Sequence, residues 1–163
     1  MRTVEGSLDG SGLRLALIVS RFDKAQVIDR LIEGAVETAR QCGLPEDGLD
    51  LVRVPGAFEL PVAARRLAAS GLYDAIVCVG AVVRGETPHF DYVAGEAARG
   101  ISEAARDFDL PVTFGVITAD TEQQARERAG GEAGNKASEA MLAAIEMATL
   151  FVGLSPEIGS DRP

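Results

Sequence analysis

The stretch Ala75-Ile76-Val77-Cys78-Val79-Gly80-Ala81-Val82-Val83-Arg84-Gly85-Glu86-Thr87-Pro88-His89-Phe90-Asp91-Tyr92 decides how this chain is read. Its first five residues are an unbroken apolar run with the length of a buried strand. A helix follows somewhere between Phe90 and Phe108. Between the two lies a loop with a glycine, a hydroxyl, an arginine and His89, the only histidine in 163 residues. The unperturbed imidazole pKa of about 6.5 lets histidine exchange protons near neutrality. A strand that passes into a helix through such a loop is the repeating unit of an α/β fold, and ligands of that fold bind at the carboxyl ends of its strands.

The same unit recurs on either side. Leu13 to Val19 is strand-like, and Asp23 then caps a helix whose apolar Val27, Leu31, Ala35 and Ala39 recur every fourth residue. Gly43 ends that helix and Pro45 prevents its return. Leu49 to Val54 alternates as a strand, Pro55-Gly56 breaks it, and an alanine-rich helix runs to about Ala69 before Gly71. Pro111 to Ile117 is the fourth strand. A short helix from Thr121 and a longer one from about Lys136 to Val152 complete the pattern. Four strands alternating with helices predict an α/β fold with a four-stranded parallel sheet covered on both faces. The length suits one domain spanning residues 1–163, with 1–12 as an N-terminal arm and 153–163 as a flexible tail.

The formal net charge is -9, and lysine and arginine are scattered singly, so nucleic-acid binding is excluded as an expectation. An acidic protein that binds an anion needs a local cluster of donors. Cys42 and Cys78 form no CxxC and no metal-ligand spacing, and read as unpaired, mostly buried thiols. The first apolar run is too short and wrongly flanked for a signal peptide, and no segment is read as a membrane span. The expected compartment is the cytoplasm.

The residues just beyond the end of each strand supply the candidate site. Phe22 comes after the first strand, and Gly56-Ala57-Phe58-Glu59 after the second, where a helix begins. Free backbone N–H groups there can bind polar or anionic atoms, and Glu59 can accept from hydroxyls; the alternative is that Glu59 only complements the helix dipole. Gly85-Glu86-Thr87 joins a flexible backbone to a hydroxyl and suits a phosphate, although it is no Walker loop. His89 is either a proton-transfer residue or a solvated loop histidine. Phe22 and Phe58 either stack on a flat ring or pack in the core, and Phe114 reads as core unless a subunit boundary falls there. Arg126 and Arg128 are two apart, so at most one faces a shared site.

Together these segments resemble the lumazine synthase family from about residue 13 to 150. The resemblance is carried by Val19-Ser20-Arg21-Phe22, Val54-Pro55-Gly56-Ala57-Phe58-Glu59-Leu60-Pro61, Arg84-Gly85-Glu86-Thr87-Pro88-His89-Phe90-Asp91 and Gly134-Asn135-Lys136. It implies a flavodoxin-like three-layer fold and condensation of 5-amino-6-ribitylaminouracil with 3,4-dihydroxy-2-butanone 4-phosphate. The products are 6,7-dimethyl-8-ribityllumazine, phosphate and water, and no cofactor or metal is implied. Carried over by motif, Phe22 stacks on the pyrimidine, Ala57, Phe58 and Glu59 hold the ring and ribityl chain, and Ala81, Val82 and Val83 bind the ring edge. Gly85, Glu86 and Thr87 line the butanone phosphate site with Arg128 and Lys136, and His89 shuttles protons. Phe114 comes from across a subunit boundary.

The resemblance also implies a homo-oligomer of pentamers, with a sixty-subunit icosahedral capsid and an enclosed riboflavin synthase as further outcomes. The compact link from Ala129 to Lys136 lacks the insertion that tends to block capsids. Three positions depart from the family pattern: Asp23 for asparagine, Ala137-Ser138 for the glycine after Asn135-Lys136, and Glu132 for lysine. The alternatives on the same fold are a flavin- or lumazine-binding carrier and a chiefly structural shell protein.

Overall fold

The computed structural model describes residues 1–154. Strands β1 (Leu15–Ser20), β2 (Leu49–Val54), β3 (Ala75–Val83) and β4 (Val112–Ala119) form one parallel sheet in the order β2-β1-β3-β4. All six residues of β1 are buried, which is why it reads as a continuous apolar run rather than an alternation. β3 runs beyond the Ala75–Val79 apolar run to Val83 because β4 pairs with it from Ile76↔Val112 to Val83↔Ala119. Gly80 lets the two central strands carry Ser20 between them: a Cβ there would lie 2.7 Å from the Ser20 Oγ.

Helices α1 (Ile28–Gln41), α2 (Leu60–Ala68), α3 (His89–Phe108), α4 (Glu122–Glu127) and α5 (Lys136–Leu154) cover the sheet. Strand alternation divides the core. Leu15, Leu17, Val19, Val77 and Val79 face Leu31, Ala35, Met141 and Ile145 of α1 and α5. Ala16, Ile18, Ile76 and Cys78 face Leu60, Ala64, Ala97 and Ile101 of α2 and α3. Each fully buried leucine or isoleucine contributes about 1.5–3 kcal/mol. The first crossover runs from β1 outward to β2 and its helix lies on one face. The next two run the other way and their helices lie on the opposite face, as right-handed connections require.

α1 begins at Ile28, later than expected from Asp23, yet Asp23 still caps it. Its Oδ1 accepts from the Val27 N–H at 2.8 Å and its Oδ2 from the Ile28 N–H at 2.9 Å, across a turn in which Gln26 takes φ 56°. A carboxylate at that end also complements the helix dipole, so the Asp23 departure is compatible with the fold. At the other end Gly43 takes φ 77°, and the Gly43 and Leu44 N–H groups bond the Arg40 and Ala39 carbonyls, a Schellman ending.

Two short strands outside the expected pattern, β5 (Ala129–Gly131) and β6 (Gly134–Asn135), pair antiparallel and bring the chain into α5. Asn135 caps α5 by accepting from the Ala137 and Ser138 N–H groups at 3.0 and 3.1 Å, while its Nδ2 donates to the Arg30 carbonyl at 2.9 Å. α5 runs to Leu154, so Gly153 and Leu154 belong to a helix rather than the expected tail; the rest of that tail lies outside the described residues. The expectation that no segment approaches a membrane span needs correction, because α5 is long and apolar enough by length and composition. Its Ala137, Ala140, Met141, Ala144, Ile145 and Ala148 are buried against the rest of the protein, as in a core helix. In the N-terminal arm, Ser7 is tied to α5 through its N–H and carbonyl on the Thr149 hydroxyl.

Candidate functional site

The sheet order reverses between β1 and β3, and a cleft of about 670 Å³ opens at that switch point. β1 supplies Phe22, held beside β2 by bonds from the Arg21 and Phe22 N–H groups to the Val54 and Pro55 carbonyls at 2.8 and 3.0 Å. The segment after β2 supplies Ala57, Phe58 and Glu59, a 3-10 turn that runs directly into α2. β3 supplies Ala81, Val82 and Val83, and the loop after it supplies Gly85 and Thr87. His89 also lines the cleft and is the first residue of α3, one position earlier than expected.

Exposure decides between the alternatives for the aromatics. Phe22 is 69% exposed and Phe58 56%, so neither is a core side chain, and both flank the cleft. Phe114 is 43% exposed on the β4 edge, which removes its core reading as well. Glu59 is the N-cap residue of α2 but makes no cap hydrogen bond. Its Oε2 instead lies over Gly56, 3.1 Å from where a Cβ would be. That leaves an acceptor in the cleft that the local fold does not use. His89 is exposed and its imidazole hydrogen-bonds no described residue.

Four expected site residues do not line this cleft: Glu86, Phe114, Arg128 and Lys136. Glu86 sits between two lining residues but is exposed. Arg128 is the C-cap residue of α4 and donates through Nη1 to the Gln124 carbonyl at 3.1 Å, with no carboxylate partner among the described residues. Arg126 differs, as its spacing predicts: it reaches the Ala25 carbonyl and pairs with Glu122 at 3.5 Å. Lys136 pairs with Glu139 at 2.6 Å.

At the rim, Arg84 holds two carboxylates and one aromatic ring. Its Nε donates to Asp120 Oδ1 at 2.8 Å, its Nη1 to Asp91 Oδ1 at 3.2 Å, and its guanidinium lies 4.2 Å from the Phe90 ring centroid. The hydrogen bond to Asp120 raises the guanidinium further above its ordinary range. Beneath the cleft, burial pushes the Cys78 thiol up to about 12, so it is protonated and inert at neutral pH.

The lining also includes Lys24, Phe90, Tyr92 and Val93, which were not anticipated as site residues. Tyr92 and Val93 had a readable signal: they lie three and four positions after His89 on one helix, hence on its face. Lys24 had none beyond its nearness to Phe22. It is the one cation lining the cleft among the described residues, and it forms no ion pair there.

An open parallel sheet with a concave, largely apolar cleft at its switch point, edged by a few polar groups, is the architecture of a small-molecule enzyme of the α/β class. The family model for 6,7-dimethyl-8-ribityllumazine synthase matches residues 12–152, and the chain belongs to that family. Its activity is that of a transferase forming 6,7-dimethyl-8-ribityllumazine in riboflavin biosynthesis. Two solved structures, both de novo designed Rossmann fold proteins, are similar at 21% and 17% identity. Each covers 71% of this chain and 92% of its own, with TM-scores of 0.37 and 0.31. Likenesses that slight carry no argument; the fold rests on the strand order and register.

Proposed function

We propose that the cleft binds 5-amino-6-ribitylaminouracil with its ring between Phe22 and Phe58 and its edge on the Ala81–Val83 backbone, while Glu59 accepts from ribityl hydroxyls. Gly85 and Thr87 receive the butanone phosphate beside it, with Glu86 completing that loop. The observation that carries this reading is the convergence of Phe22, Phe58, Glu59, Thr87 and His89 on one cleft of about 670 Å³. The 5-amino group attacks the ketone and water leaves as an imine forms. Phosphate then departs by elimination, and the ribitylamino nitrogen closes the ring with loss of a second water. No step needs a nucleophile from the protein. Holding two substrates in register supplies about 7–11 kcal/mol of barrier reduction, and a proton shuttle at His89 adds about 10²–10⁴-fold.

Phe114, Arg128 and Lys136 lie outside their own chain's cleft, which supports a shared site: they complete the cleft of a neighbouring copy. Arg128, lacking a carboxylate partner, is the better phosphate ligand; Lys136 must first leave Glu139. The whole chain then acts as one unit in a cytoplasmic pentamer, and the tight β5–β6 link supports closure of pentamers into a shell that could enclose a riboflavin synthase. Incubating the protein with both substrates and following lumazine fluorescence tests the reading. Product is expected only when both are present. Binding of lumazine or flavin without turnover would favour a carrier.

A further inference from the structure

The loop assigned above to the butanone phosphate has little of its own to hold it. Gly85, Glu86 and Thr87 are exposed and make no side-chain hydrogen bond among the described residues. Both ends of the loop are instead tied to Arg84. The Arg84 N–H donates to the Ala119 carbonyl at 2.9 Å, which fixes the end of β3 against the end of β4. Its guanidinium reaches forward to Asp91 and Phe90, in the first turn of α3 on the far side of His89, and sideways to Asp120 after β4. One planar group therefore joins three segments around the cleft rim.

We propose that Arg84 is a positioning residue: by bridging Asp91 and Asp120 with its face on Phe90, it holds the 85–87 loop and His89 in the geometry that receives the phosphorylated substrate. The inference rests on the reading of the cleft given above. Arg84 is not itself a phosphate ligand, because its Nε and Nη1 already serve Asp120 and Asp91 and the trio carries a net negative charge. Nor is it chiefly a stabilising residue. Its side chain and its two partners are all more than 40% exposed, and exposed ion pairs add little to stability. A planar fork engaged at both edges and on its face nevertheless has one orientation, and lysine cannot reproduce it. Displacing a reacting group by about 1 Å can cost 10²-fold in rate.

Steady-state kinetics with each substrate varied in turn, on wild type, Arg84→Ala, Arg84→Lys and Asp120→Asn, test the proposal. Arg84→Ala should lower kcat/KM for the butanone phosphate by about 10–100-fold, with little change in Tm. KM for the pyrimidine should stay within about twofold. Arg84→Lys should not restore the rate, and Asp120→Asn should lower it in the same direction. A gain in butanone phosphate use by Asp120→Asn would mark Arg84 as a direct phosphate ligand and overturn the proposal. So would an equal loss for both substrates, or full activity in Arg84→Ala. If Arg84→Ala does not fold, Arg84→Lys and Asp120→Asn carry the same test. A substrate-free readout separates this proposal from the reading it rests on. His89 is the sole histidine, so one imidazole resonance reports the loop. It should move in Arg84→Ala, and an unmoved signal overturns the proposal even if the wild type makes no lumazine.

Discussion

At the scale of single residues, His89 shows how a side chain can be placed without being constrained. It lies on the cleft wall at the start of α3 and its imidazole hydrogen-bonds no described residue, so the ring is free to follow the proton. Because positioning of the two substrates contributes more than the proton shuttle, His89→Ala should slow turnover by about 10–10³-fold without abolishing it, measured at saturating concentrations of both substrates. Cys78 is the opposite case. It is fully buried in the sheet, and burial raises its thiol from 9.0 to about 12. A thiol alkylating reagent should modify only the half-buried Cys42 in the native protein and both cysteines in denaturant. Because the folded-state pKa of Cys78 lies above its unfolded value, its contribution is fully present below about pH 9 and is lost as pH rises toward about 12. Urea unfolding across that range should show falling stability, and Cys78→Ala should flatten the decline. The histidine and the two thiols were legible in the sequence. That Glu59 hydrogen-bonds no described residue was not, because it depends on how the turn after β2 aims the side chain.

At the scale of elements, the entry to α5 shows a motif acting through structure. Asn135 caps the helix with its carbonyl oxygen and ties it to α1 with its amide nitrogen. Gly34 of α1 makes room: a Cβ there would stand 2.3 Å from the Asn135 Nδ2. Loss of the cap in Asn135→Ala should cost about 0.5–2 kcal/mol, seen as a lower urea midpoint with an unchanged m value. Asn135→Asp keeps an oxygen for the cap and loses the donor to Arg30, so it should fall between wild type and alanine. Helix and strand types were readable from periodicity and punctuation, while their ends were displaced. β3 ran on because β4 pairs with it, and α1 started late because Asp23 caps from across a turn. The β5–β6 hairpin carried no periodic signal, since its strands are two and three residues long.

At the scale of the whole molecule, the cleft of one chain contains part of the expected site, and the remainder faces elsewhere. If the copies are arranged head to tail, a His89→Ala chain can lend its Arg128 to an intact cleft on an Arg128→Ala chain. The two variants refolded together in equal amounts should then reach about a quarter of wild-type activity, above the residual rate of either alone, since that fraction of heterologous interfaces pairs two intact halves. No recovery would contradict the shared site. Activity should also disappear on dilution to the monomer. With -9 per chain, added salt should favour the assembled state where like charges face one another, which light scattering beside the assay can follow.

The sequence by itself determined the α/β alternation, the four strands and the family, because buried parallel strands are written as apolar runs and the motif residues stand next to one another in the chain. Only the tertiary structure decided which of those residues meet. Phe22, Glu59 and His89 come together because the sheet order reverses between β1 and β3, bringing the end of β1, the turn after β2 and the start of α3 to one cleft. Arg128 and Lys136 carry motif signals of the same kind, yet they follow β4 at the sheet's edge and lie outside it. Chain adjacency encodes what a residue is, whereas crossover handedness and strand order decide what it faces.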